Sequence, residues 1–144
     1  MPVDAVNIDN GGPGAGVIDV LKSRGYKVNE IGFGTKPNDD KWYNKGTEMW
    51  ADLRTWLEGG CLPSDNELVD DLVNREYNYP GTGDKMNLES KDDLKKRGFA
   101  SPDDADALAL TFAVRVSRKD QPTSRARNRG RVAPGTDYNP LARR

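Results

Sequence analysis

Histidine is missing from this chain, and cysteine occurs once, as Cys61. The first absence removes imidazole bases and imidazole metal ligands; the second removes any internal disulfide and any thiolate zinc site. No stretch is long and apolar enough to cross a membrane and no run has the form of a signal peptide, so the sequence predicts a cytosolic chain. Hydrophobic residues make up 35% and charged residues 31% of the 144, a balance polar enough to predict that part of the chain stays outside a packed core. The remaining chemistry is that of oxygen ligands and cations, with 23 Asp and Glu against 22 Lys and Arg.

Those charges are unevenly placed. Residues 118–144 carry eight cations against Asp120 and Asp137, a net of +6, and leave −7 on the rest. The division predicts one acidic α/β domain over residues 1–116 and a basic tail over 117–144. With Pro122, Pro134 and Pro140 and little apolar content, the tail is expected to be disordered in isolation. It suits non-specific contact with nucleic acid, or a solubilising terminus.

Along the domain, Val3 to Ile8 reads as a short buried strand that ends at Asp9 and the glycine-rich run Gly11-Gly12-Pro13-Gly14-Ala15-Gly16. Val17, Ile18, Val20 and Leu21 then recur at helical spacing, and Lys27 to Phe33 returns as a strand. This opening predicts a parallel strand, helix, strand unit with Asp9 at the carboxyl end of its first strand, the end at which such units place ligands. The glycine spacing matches neither the dinucleotide fingerprint nor a phosphate-binding loop, so nucleotide binding competes with a purely structural turn and with an acid facing an active edge. In the loop from Gly34 to Tyr43, Lys36 and Lys41 stand beside Trp42 and Tyr43, a mixture suited to phosphate contact and stacking, or to two rings tucked on the core. Helices are expected over Asn44 to Glu58, with Met49, Leu53, Trp56 and Leu57 inward, and after a cap at Ser64 or Asp65, with Leu68, Leu72 and Val73 inward. A hairpin is expected around Pro80 to Asp84, and a basic helix after Ser90 carries Lys91, Lys95, Lys96 and Arg97, either as a solvated face or as phosphate contacts.

The organising stretch is Ser101 to Ala113. Ser101, Pro102 and Asp104 have the form of a helix start, and the helix that follows is nearly free of polar residues except for Asp106 and Thr111. An acid inside an apolar helix needs a cation, a metal or several donors to stay ionised. Asp103 lies one turn earlier on the same face, close enough to approach the same ion; the alternative is that Asp103 and Asp104 are ordinary first-turn acids.

Four segments in order, Val6 to Leu21, Asn44 to Trp50, Leu88 to Asp93 and Ser101 to Leu108, resemble the C-terminal nuclease domain of tailed-phage terminase large subunits. The resemblance implies an RNase H-like fold, here partial, with a central mixed sheet, flanking helices and a β-hairpin. It implies a two-metal endonuclease that uses Mg2+ or Mn2+ to cut concatemeric viral DNA during genome packaging in the bacterial cytoplasm. Carried over residue by residue, Asp9 and Asp106 match the family's metal-binding catalytic acids and Asp103 an auxiliary one. Double-stranded DNA would be the substrate, contacted through Lys36, Lys41, Lys91 and Lys95, with the rest of the large subunit, the small subunit and the portal as partners. The family's ATPase motor and its first nuclease strand, with another essential Asp, have no counterpart in these residues. Gly46 stands where an Arg is common. Without that strand, the edge of Val3 to Ile8 is expected to pair with another copy or with a separately encoded N-terminal half.

Overall fold

The computed structural model describes residues 3–81 and 83–116; the basic tail over 117–144 lies outside the described residues. The first unit forms as its pattern predicts. Strand β1 (Asn7–Asp9), helix α1 (Gly14–Ser23) and strand β2 (Asn29–Ile31) follow in order, and the two strands pair in parallel with Asn7 opposite Asn29 and Asp9 opposite Ile31. The Asn10 N–H continues the ladder to Ile31 O at 2.9 Å. Both strands are shorter than expected, three residues each.

Helix α2 (Lys45–Leu57) starts on Asn44, whose side-chain oxygen accepts the Thr47 N–H at 2.8 Å. Gly46 lets this start lie against the preceding loop: its N–H reaches Phe33 O at 2.8 Å, and a Cβ there would stand 3.0 Å from the Phe33 ring. Helix α3 (Asn66–Asn74) is capped by Asp65, and helix α4 (Lys91–Lys96) by Ser90. Between them the hairpin forms from β3 (Tyr77–Asn78) and β4 (Asn87–Leu88), antiparallel. Helix α5 (Asp103–Leu110) is the last helix of the described residues.

A central mixed sheet is not what these strands build. Among the described residues they make two separate two-stranded sheets, one parallel and one antiparallel, so the architecture is a small mixed α/β protein with five helices. The core lies between α2 and α5. Met49 and Leu53, at 0% and 1% exposure, meet Ala105, Ala109 and Ala113, whose small side chains allow the two helices to approach closely, and Ile31 and Trp50 complete the cluster. Val73, expected inward, is 69% exposed because α3 turns Leu68 and Leu72 to the core instead. Trp56 is also exposed, resting beside Phe112 with ring centroids 6.0 Å apart. On α1 only Ile18 is buried, and Val17 and Val20 face outward. No helix of the described residues is long and apolar enough to cross a membrane.

One acid is built into the start of α2. Glu48 is buried; its Oε1 accepts the backbone N–H groups of Asn38 and Asp39 at 2.9 and 3.0 Å, and its Oε2 takes the Lys45 ammonium at 2.6 Å. Burial pushes its carboxyl up, but the Lys45 ammonium and the two N–H groups together outweigh it and hold it below the ordinary value of 4.5. A depressed acid stabilises the fold above its unfolded pKa and loses that contribution as pH falls through the folded one. Thermal melts are therefore expected to show stability falling as pH drops below about 4.5, with a shallower fall in Glu48→Gln. Identical slopes for the two proteins would remove Glu48 from the account.

Candidate functional site

Asp106 sits in the first turn of α5 at 7% exposure, and each of its oxygens is taken. Oδ1 accepts the Trp50 indole N–H at 2.7 Å and an Arg75 Nη1 donor at 2.8 Å; Oδ2 lies 2.8 Å from the Lys91 ammonium. The same ammonium donates to Asp103 Oδ1 at 3.2 Å, where the Ser101 hydroxyl also arrives at 2.7 Å. Asp103, Asp106 and Lys91 thus form one cluster, assembled from α4 and α5. Lys95, next along α4, contributes a weaker pull on Asp103.

The sequence reading missed Arg75, which carries much of this arrangement. Its guanidinium is buried and lies over the Trp50 ring, 4.9 Å from the centroid, while Nε donates to Glu89 O at 3.0 Å. Burial pushes Arg75 down from its ordinary value, and the Asp106 and Glu89 carboxylates work against that push. Glu89 is itself buried, accepting the Glu76 N–H at 3.2 Å and facing Arg97 Nε at 3.3 Å. Arg75 had one signal: it is the single cation between Arg54 and Lys85, a stretch rich in acids. For Lys91, burial lowers the pKa and Asp106 and Asp103 raise it by more, so the ammonium form is held. Asp103 is lowered by the Ser101 hydroxyl first and by Lys91 second.

The start of α5 differs from its sequence signature. Ser101 spends its hydroxyl on Asp103, Pro102 occupies the cap position without a side-chain bond, and the orphan N–H groups of Asp104 and Ala105 are met by Asp71 Oδ2 of α3 at 3.1 and 3.4 Å. The cap therefore comes from another helix, which sequence spacing cannot reveal. Asp71→Ala is expected to cost about 1–2 kcal/mol in urea unfolding, whereas Ser101→Ala should stay within about 0.5 kcal/mol. The reverse order would restore the local cap.

Asp9 stands at the carboxyl end of β1, as expected, with Oδ1 accepting the Gly11 N–H at 3.0 Å. Gly12 takes a positive φ of 52°, and Gly14 brings the start of α1 directly onto the Asp9 carbonyl. The positive φ and the close approach account for Gly12 and Gly14 without a ligand in the turn. β1 is joined to α5 at the other end: Asn7 Nδ2 donates to Leu110 O at 2.9 Å while Asn7 Oδ1 accepts from Asn29 Nδ2 at 2.8 Å, so one amide ties both strands to the helix. Of the remaining cations, Lys36 is exposed with Asp40 at 3.8 Å, and Lys41 pairs with Asp39 at 2.9 Å and lies over Trp42.

For Mg2+ or Mn2+ the donors are of the right chemical kind, hard carboxylate oxygens. Their placement does not fit one. Asp106 Oδ1 is committed to Trp50 and Arg75, the space between Asp106 and Asp103 holds an ammonium, and Asp9 faces a backbone N–H. No group of three or more Asp, Glu or Cys among the described residues is arranged to hold a metal ion. Comparison with known proteins adds no assignment: no family profile, no curated protein and no solved structure matches this chain.

Proposed function

We propose that this chain is the C-terminal share of a DNA-cutting nuclease domain of the kind carried by tailed-phage terminase large subunits, RNase H-like in fold. In this reading Asp9 and Asp106, with Asp103 as auxiliary, are the acids this chain brings, and the remaining acid and the ATPase motor come from another segment of the large subunit. The observation that carries the reading is the buried Asp106: an acid in the helix that packs against the strand ending in Asp9, kept in place by Trp50 of α2, by Arg75 just after α3 and by Lys91 of α4. Because the acids of this chain do not form an ion site alone, Mg2+ or Mn2+ enters the reading only with that further acid. The outward Val17 and Val20 on α1, and a parallel sheet of two strands, are what a unit missing a neighbouring layer would present.

The test is a graft. Residues 3–116 replace the corresponding C-terminal segment of an active terminase nuclease domain, and plasmid nicking is followed with and without Mn2+. The graft is expected to cut and its Asp9→Asn and Asp106→Asn forms to be silent. A folded graft that cuts equally well with Asp106→Asn would remove that acid from catalysis and with it the reading.

A second reading has its own support: Asp106 is neutralised by two cations, as suits a chain that keeps the fold and binds DNA without cutting it, or that complements a separate N-terminal half. Binding of the isolated chain to duplex DNA with a steep salt slope, weakened by replacing Lys36, Lys41, Lys91 and Lys95, together with an inactive graft, would favour it. Nucleic acid contact is surface chemistry in either reading. The cellular site is the bacterial cytoplasm in both, with the small subunit and portal as further partners in the first. Pairing of two copies through the β1 edge would appear as a dimer in sedimentation velocity.

A further inference from the structure

Among the described residues, Lys91 is the one cation that touches both Asp103 and Asp106. Its ammonium is 2.8 Å from Asp106 Oδ2 and 3.2 Å from Asp103 Oδ1, which are hydrogen-bond distances to an ammonium and well beyond the roughly 2.1 Å at which Mg2+ holds oxygen. The oxygens beside the ammonium have further partners: Asp106 Oδ1 is filled by Trp50 and Arg75, and Asp103 Oδ1 also receives the Ser101 hydroxyl. Three elements set this up. Ser90 caps α4 and fixes where Lys91 leaves the backbone, Asp71 fixes the start of α5, and Arg75 holds Asp106 from the buried side. Yet Lys91 is 42% exposed, so its long stem has room to swing outward while Arg75 does not.

We infer that Lys91 is the built-in counter-ion of the Asp103–Asp106 pair and keeps divalent cations out of it, so that an ion reaches the pair only when the ammonium leaves. A divalent ion and an ammonium cannot share the two oxygens: the like charges would stand within about 4 Å of one another, and beside Arg75 the two carboxylates keep a single net negative charge, which the ammonium already balances. The inference stands on the geometry of the pair and does not depend on the nuclease reading.

The experiment is a Mn2+ titration of the full chain, followed by the electron paramagnetic resonance signal of free Mn2+. Lys91→Met, which keeps the length and apolar stem without the charge, is expected to bind one Mn2+ about tenfold or more tighter than the unaltered chain. The gain should disappear when Asp103→Asn is added, and Lys91→Arg should bind as weakly as the unaltered chain. If Lys91→Met does not fold by circular dichroism, Lys91→Gln serves for the same comparison. Equal Mn2+ affinity in the unaltered and charge-free chains would overturn the inference. So would a gain that survives Asp103→Asn, or an arginine variant that binds as tightly as the methionine one. The nuclease graft reads cleavage and this titration reads binding, so either can fail alone.

Discussion

Replacing Arg75 by Met should lower the unfolding free energy by about 3–5 kcal/mol, the range for removing one partner of a buried ion pair. The size follows from what remains. Asp106 would keep the Trp50 indole and the half-exposed Lys91, but would lose the buried guanidinium 2.8 Å from Oδ1, and the Glu89 carbonyl would lose its Nε donor. The stacking of Arg75 on Trp50 goes as well, a contribution of about 0.5–2 kcal/mol. Lys91 cannot substitute, because it approaches from the solvent side and already serves Asp103. Changing both partners, Arg75→Met with Asp106→Leu, should recover much of the loss, since an apolar pair of similar volume leaves no buried charge behind. The check is a double-mutant cycle by urea unfolding at neutral pH. A cost below about 1 kcal/mol for Arg75→Met, the level of an exposed pair, would mean that water reaches Asp106 and that the hub is not what orders α5.

Gly14→Ala should be the most damaging small substitution in the first unit. A Cβ at Gly14 would fall 1.8 Å from the Asp9 carbonyl oxygen and 3.7 Å from Ile8 Cγ2, and the first of these is backbone that cannot rotate away. Helix α1 would have to lift from β1, at a cost of about 3 kcal/mol or more. Helix propensity opposes this with at most about 1 kcal/mol in favour of Ala, so the clash wins. Gly16, two residues along the same helix, is the control: nothing lies within 4 Å of a Cβ there, and Gly16→Ala should be neutral or stabilising by up to about 1 kcal/mol. Thermal melts of the two variants side by side decide the matter. Similar melting temperatures for both would mean that α1 does not press on the strand end, and Asp9 would lose its fixed position.

Local grammar accounts for how much of the fold was legible beforehand. Asp65 and Ser90 each cap the helix they precede, as their pattern predicts, and Asn44 caps the helix expected to begin with it, because a cap is a bond between residues two or three apart. The parallel unit around α1 and the hairpin after Tyr77 were legible for the same reason, since periodicity and turn residues act over short spans. Asp106 was legible as buried and in need of partners. Its partners were not, because Trp50 and Arg75 lie 56 and 31 residues away and only folding brings them to one carboxylate. Asp71 was hidden likewise, its role as a cap for α5 depending on how α3 lies against that helix.

The amino-acid sequence by itself determined the chemistry available to this protein: no imidazole, no thiolate pair, acids and cations in abundance, and one acid stranded in an apolar helix. It determined most helix starts as well, which depend on neighbours along the chain. Only the tertiary structure decided which charges meet. It gave Asp106 to Trp50, Arg75 and Lys91, placed an ammonium between Asp103 and Asp106, and left Asp9 with a backbone N–H. The physical reason is that a buried charge takes whatever opposite charge the packing brings within reach, and packing is settled by the whole chain at once.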